Sequence, residues 1–218
     1  RRTYADLIAK PIAKQAAANE GLGLDLSLYF YDSNAKINHK INDKHRLYAS
    51  AYLGSDVFKN TITEKDEDES FGGGIDWGNI ISAFRWNWQL NNKLFANTTL
   101  TYSNYKLDIF AEQKENDGED ASSFSAKYFS GIEDVAGKID FDYIPNPNHY
   151  IRFGGSVIHH TYKPGALSLK ADFDEENFDT LLGSKNLGSY EYDLYIEDDF
   201  RLGALKANVG LHFSAFDV

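Results

Sequence analysis

The 218-residue chain has no cysteine, no methionine and only four prolines. Without cysteine there are no disulfides and no thiolate zinc sites. No run approaches the ~18 consecutive apolar residues of a transmembrane helix, which excludes a helical membrane protein. It does not exclude crossing by strands. A barrel strand turns only every second residue to lipid, so its mean hydropathy stays low; here it is -0.48. Positive charge is also scarce: 22 Lys and Arg face 33 Asp and Glu, for a net -11. With no basic stripe, composition argues against a nucleic-acid partner. No apolar segment follows Arg1-Arg2, so no signal peptide is visible, and there is no initiator Met. Both lead to the expectation that the chain begins inside a longer protein.

Aromatic residues are plentiful, at 15% with 14 Tyr and 15 Phe. Apolar residues recur with period two, the mark of strands with two unlike faces. From Tyr29, the odd positions Tyr31, Ala35, Ile37 and Ile41 oppose Asp32, Asn34, Lys36 and Lys40. Later strands set Leu47, Ala49, Ala51 and Leu53 against Ser50, Tyr52 and Asp56. They set Ile80, Phe84, Trp86 and Trp88 against Arg85 and Asn87, then Leu94, Ala96, Leu100 and Tyr102 against Asn97 and Thr99. Four more follow: Val135 to Tyr143, Ile151 to Val157, Tyr190 to Phe200, and Leu205 to Ala215. The expected fold is all-β, with residues 28–218 forming eight long antiparallel strands in four hairpins. Most reach the ~9–11 residues that cross a bilayer at a tilt.

Two kinds of connection alternate. Short turns are expected at Asn42-Asp43-Lys44, Asn91-Asn92-Lys93, Pro145-Asn146-Pro147-Asn148 and Leu202-Gly203-Ala204, where Asn, Asp, Gly and Pro suit tight backbone geometry. Long polar links are expected at about 59–74, 111–126 and 164–188. Short turns on one side and long loops on the other describe a transmembrane β-barrel, with the turns periplasmic and the loops extracellular. Residues 1–27 are expected to be an extracellular loop with a short helix broken at Pro11.

A soluble sandwich or lipocalin-like barrel would also alternate, with its apolar face as core. Strand length, charge on the polar face at mid-strand, and two aromatic belts favour the membrane. One belt holds Trp86, Trp88, Phe95, Phe141, Tyr143, Phe153 and Phe200. The other holds Tyr29, Tyr31, Tyr102, Tyr190 and Tyr192.

In order along the chain, Arg1-Arg2-Thr3-Tyr4, Phe30-Tyr31-Asp32, Arg46-Leu47-Tyr48, Trp77-Gly78-Asn79 and Arg85-Trp86-Asn87 stand out. So do the run from Leu94 to Ser103, Asp140-Phe141-Asp142-Tyr143, Pro145-Asn146-Pro147-Asn148-His149, Ile151-Arg152-Phe153-Gly154-Gly155 and Glu197-Asp198-Asp199. The ordered set resembles the TonB-dependent outer-membrane receptors of the branch with a carboxypeptidase-like regulatory domain. The resemblance implies a barrel of about 22 strands closed by a plug, of which this chain is a middle section without the plug. It implies import of a scarce, unidentified solute with TonB-derived energy. Implied partners are outer-membrane lipid and lipopolysaccharide, TonB through the plug region, and a possible surface lipoprotein. The rival from another class is a self-contained eight-stranded barrel with an adhesive or structural role.

No catalytic motif is present, so no enzyme, cofactor or metal is expected. His159-His160 point to opposite faces and do not chelate one ion. Three acidic clusters fall in the long links: Glu64 to Glu69, Glu112 to Asp120, and Asp172 to Asp179. They are expected to be solvated loop surface. Asp142 and Arg152 are equidistant from Pro147 and are expected to face each other. A ligand site would use polar-face residues near the long links: Asp32, Tyr52, Asp56, Tyr105, Asp134, His160, Glu191 and Asp193.

Overall fold

The computed structural model describes residues 2–64, 69–117, 120–173, 176–183 and 185–218. Expectations that rest on Arg1, Asp66, Glu67, Asp68, Glu119, Asp174 and Glu175 lie outside them. One helix precedes nine strands: α1 (Ala5–Asn19), β1 (Leu22–Lys40), β2 (His45–Glu64), β3 (Glu69–Asn91), β4 (Leu94–Asp117), β5 (Asp120–Asn146), β6 (His149–Phe173), β7 (Glu176–Gly183), β8 (Leu187–Leu202) and β9 (Leu205–Asp217). All pairings are antiparallel in one sheet of order β1-β2-β3-β4-β5-β6-β8-β9, with β7 beside the upper part of β6. The sheet is open, and β1 and β9 make no contact.

All four expected turns are present. Asn42 Oδ1 accepts from the Lys44 and His45 amides, Asn91 Oδ1 from Lys93 and Asn146 Oδ1 from Asn148, and Gly203 supplies a positive φ. Asp142 pairs with Arg152 as the spacing requires.

The long links are a correction. Most of residues 59–74, 111–126 and 164–188 continue the strands, so β4 has 24 residues and β5 has 27. The strand count rises to nine because β7 fills part of the last link. β7 and β8 hold the same register on β6, Ala166 opposite Gly183 and Tyr162 opposite Leu187. They amount to one strand interrupted opposite Pro164, which has no N–H to donate to the ladder. The start of the chain also differs. β1 begins at Leu22 rather than 28, and α1 runs through Pro11 instead of stopping there. Tertiary contact replaces the bond that Pro11 removes: α1 lies against β1, Lys10 pairs with Asp25 at 2.6 Å, and Arg2 bridges to Tyr31. The Lys10 ammonium holds the Asp25 carboxyl below its usual range. Phe95 is corrected too. It pairs with Asp142 and Gln89 on the polar face, so it does not belong to the belt of Trp86 and Trp88.

Near the turns the two faces are unlike. Asn38, Tyr48, Arg85, Thr99, Lys138, Ser156, Asp193 and Ser214 form one cross-strand row on what we term the Asp193 face. The adjacent row on the Leu194 face is Ile37, Ala49, Phe84, Leu100, Gly137, Val157, Tyr192 and Ala215. Toward the far ends the faces exchange character. A row on the Asp193 face now reads Leu28, Phe58, Ile75, Ile109, Tyr128, Leu167 and Leu182. On the Leu194 face the corresponding row is Asp25, Thr61, Gly72, Glu112, Ser125, Lys170 and Asp179.

A single layer has almost no interior. The only buried apolar side chains among the described residues are Val57, Ala96 and Ala166. The accessible surface is 14736 Å², whereas a compact monomer of this mass exposes roughly 10,000 Å². No second sheet covers the Leu194 face, so the sandwich alternative is not the arrangement formed.

Candidate functional site

The eight polar-face residues separate into two groups. Asp134, His160, Glu191 and Asp193 come together on β5, β6 and β8. His160 and Asp134 are cross-strand partners, and His160 Nδ1 lies 2.8 Å from Asp134 Oδ1. The other ring nitrogen, Nε2, is 3.5 Å from Glu191 Oε2. Ser103 Oγ donates to Asp134 at 3.3 Å. The Tyr162 ring stacks 5.6 Å from the imidazole, whose side chain is only 12% exposed. Two rows nearer the turns, Asp193 accepts from Ser156 and Ser214 at 3.1 and 2.5 Å, with His212 Nε2 at 3.4 Å.

Asp32, Tyr52, Asp56 and Tyr105 lie on β1, β2 and β4. Asp32, Gly54, Asn79 and Tyr105 share one row. Tyr52 folds over Gly54, where a Cβ would stand 2.6 Å from its hydroxyl. Asp56 is one row further from the turns, between Phe30 and Trp77. Tyr52 and Asp134 share a row but stand three strands apart, about 14 Å. The two groups therefore do not form one pocket.

Asp134, His160 and Ser189 have the residue types of a nucleophilic triad, and Ser189 is the cross-strand partner of His160. The geometry does not make one. His160 Nε2 faces Glu191, and Ser189 is 2% exposed with no hydrogen-bond partner for its hydroxyl. The imidazole is hydrogen-bonded to Asp134 through Nδ1, while Nε2 lies 3.5 Å from Glu191 without a hydrogen bond. Among the described residues no group of three His, Asp or Glu is placed to hold a metal ion.

Expectation missed several polar contacts. Tyr195 reaches across β6 to donate to Asp140 at 2.6 Å, over Gly154. A Cβ at Gly154 would meet the Ile139 carbonyl oxygen at 2.3 Å. Tyr150 donates to Asp142 at 2.5 Å. Arg152 faces Asp142 in register but spends its charge on the other neighbour, with Nε 3.0 Å from Glu197 and an NH2 group 3.1 Å from Asp199. The glycine at 154 was the available signal, since a strand glycine marks close approach of another group.

Another cavity lies mainly on the opposite face of the sheet. It is an open furrow of about 1020 Å³, lined chiefly on the Leu194 face by Leu100, Gly137, Gly155, Leu194 and Phe213. Gly137 and Gly155 leave the floor without side chains. Its lining is overwhelmingly apolar and suits a hydrocarbon chain better than a polar solute.

The His159 ring lies tilted against Tyr190, centroids 4.7 Å apart, on the opposite face from His160. Trp86, Trp88 and His45 stack near the turns, with Trp86 and Trp88 5.4 Å apart. Comparison of the chain with protein-family models, with curated proteins and with solved structures finds no match.

Proposed function

We propose that this sheet is a section of the wall of an outer-membrane β-barrel that imports a scarce solute with TonB-derived energy. The hairpin turns lie in the periplasm and the inverted strand ends stand outside the cell. The Leu194 face meets lipid near the turns, and the Asp193 face lines a wet lumen.

The observation that carries this reading is the exchange of faces. A soluble sheet buries one face along its whole length. A wall that leaves the bilayer has no reason to stay apolar outside once it reaches water. The upper edge of the apolar band is Tyr29, Val57, Ile80, Tyr102, Val135 and Tyr190 on β1, β2, β3, β4, β5 and β8, with His159 at that level on β6. In the pairing, the row of Tyr29 and Val57 meets β4 at Asp108, six residues beyond Tyr102. The edge thus drops by about 20 Å along the strands between β2 and β4, then stays level, because Tyr102, Val135, His159 and Tyr190 share one row. Barrel strands tilt by about 35–45°. From Leu47 to Val57 the band is about 33 Å along the strand, or about 25 Å once tilted, the height of a barrel's lipid-facing belt.

Coverage along β8 supports an inward Asp193 face: Glu191, Asp193, Tyr195 and Glu197 are half-buried, whereas Tyr190, Tyr192, Leu194 and Ile196 are exposed. Side chains crowd on the concave side of a curved sheet and splay on the convex side. The unpaired lengths of β1 and β9 would take further strands of the wall. Outer-membrane lipid and lipopolysaccharide surround it, and TonB engages a plug region beyond this chain. A surface lipoprotein over the extracellular ends is a further proposed partner.

The test compares depletion of a defined nutrient mixture by cells with and without the intact protein, with and without an uncoupler. Depletion that needs both the protein and the proton gradient supports energised import. Depletion that needs the protein but persists with the uncoupler overturns it.

A further inference from the structure

We infer that the extracellular ends of β1–β7 form an acidic-rimmed apolar wall that binds a cationic peptide bearing apolar side chains. The inference rests on the proposed orientation, with the Asp193 face inward, and deepens it by naming the ligand class. It begins from an anomaly. On the lumen side near the turns the rows are mostly polar, yet above the exchange the same face is lined by Phe58, Ile75, Ile109, Tyr128 and Leu182. Two levels further out stand Phe71, Phe124 and Phe178. These side chains are not covered by the rest of the fold. Phe58, Phe71, Ile109 and Phe124 are each 41% exposed, and Phe178 and Leu182 53%. An exposed apolar patch of this extent marks a binding surface.

The wall ends in carboxylates. Glu64, Glu69 and Glu115 occupy one cross-strand row on the same face, immediately beyond the Phe71 level. Glu69 accepts a hydrogen bond from Gln113 at 2.7 Å, and no lysine or arginine neutralises the row among the described contacts. Beyond the exchange the described lysines lie on the opposite face: Lys59 pairs with Asp76 and Lys127 with Asp108, each at 3.5 Å. Like charges directly across strands are unfavourable unless a counter-charge arrives. An apolar surface alone would accept any greasy ligand. The rim selects one with positive charge at the same spacing, because carboxylate repulsion rejects an anion and the wall offers little to a purely polar solute. A peptide with an apolar half and a lysine half satisfies both: its phenylalanines meet Phe71 and Phe124 while its ammonium groups meet Glu64, Glu69 and Glu115 one level further out.

The experiment uses the intact protein in lipid nanodiscs, with empty nanodiscs as the blank. Three fluorescent decapeptides, each with its two residue types in separate halves, are compared by anisotropy: Lys/Phe, Glu/Phe and Lys/Ser. The expected result is saturable binding of Lys/Phe alone, weakened at least tenfold by E64Q/E69Q/E115Q and, separately, by F71S/F124S. Heat-modifiable gel migration confirms that both variants are folded barrels. Equal binding of Glu/Phe or Lys/Ser, unchanged binding by either folded variant, or no Lys/Phe binding overturns the inference. Uptake is scored separately. Peptide binding without proton-gradient-dependent import would sink the transport reading and leave this inference standing, whereas energised import of some solute without peptide binding does the reverse.

Discussion

Leu194 sits near the middle of the apolar band, between Gly155 and Phe213, and is 61% exposed in the sheet alone. Substituting arginine separates the two environments that this face could meet. If Leu194 faces hydrocarbon, Leu194→Arg costs about 2–4 kcal/mol, the range for a cation at the midplane of a barrel wall. If it faces water, the substitution removes no packed neighbour and costs within about 0.5 kcal/mol. The gap between about 30-fold or more and about twofold in the folding equilibrium is measurable. A matched control places the same charge above the band: Thr61→Arg lies in the polar upper row of the same face and should cost about 0–1 kcal/mol in either case. Urea titration of the protein in phosphatidylcholine vesicles, followed by tryptophan fluorescence, supplies both values. A cost at Leu194 no larger than at Thr61 would refute the lipid-facing assignment.

Four further outcomes follow from the contacts. Gly154→Val should lose about 1–3 kcal/mol by overpacking and break the Tyr195–Asp140 bond. Gly137→Ala should be nearly neutral by the same urea titration, since its Cβ would meet only Leu100 at 3.7 Å. Arg152→Ala strands Glu197 and Asp199 beside one another; the unfolding midpoint should fall, and Arg152→Lys should restore it only in part because the guanidinium spans both carboxylates. The docking of α1 should weaken in acid. The Asp25 carboxyl is held below its ordinary value by Lys10, so the pair stabilises the folded state above the unfolded carboxylate pKa of ~3.9 and fades as pH falls through the lower folded value. Both partners are well exposed, so the effect stays within about 1 kcal/mol. Hydrogen-exchange protection factors in Ala5–Asn19, taken relative to the unstructured chain at the same pH, should fall at pH 3 and at high salt, and unchanged protection under both would count against the pair.

The turns were legible because each depends on local chemistry. Asn42, Asn91 and Asn146 cap their own turns, and Gly203 takes a conformation that other residues avoid. The strand ends were not legible for a different reason. In β3 the apolar residues run Phe71, Ile75 and Trp77 on one parity, then Ile80, Phe84, Trp86 and Trp88 on the other. A search for one apolar face reads that change of parity as the end of a strand and the start of a loop. The same break hides the upper halves of β4 and β5. Only cross-strand pairing shows that the exchange is shared by neighbours. For the candidate site, parity sufficed to place all eight residues on one face. It did not say which neighbours would meet, because the reach of Tyr195 over Gly154 and the choice of Arg152 between two sides depend on register.

The most direct test of the central claim is cysteine scanning, and these 218 residues contain no cysteine to remove first. Single cysteines from 190 to 196 in β8 and from 124 to 130 in β5 would carry nitroxides in the intact protein in bilayers. Accessibility to oxygen and to a water-soluble nickel chelate is then read at each site. The account predicts oxygen maxima at 190, 192, 194 and 196 with nickel maxima between them, and nickel access at every exposed position from 124 to 130. Nickel reaching the even positions of β8 as readily as the odd ones would contradict it.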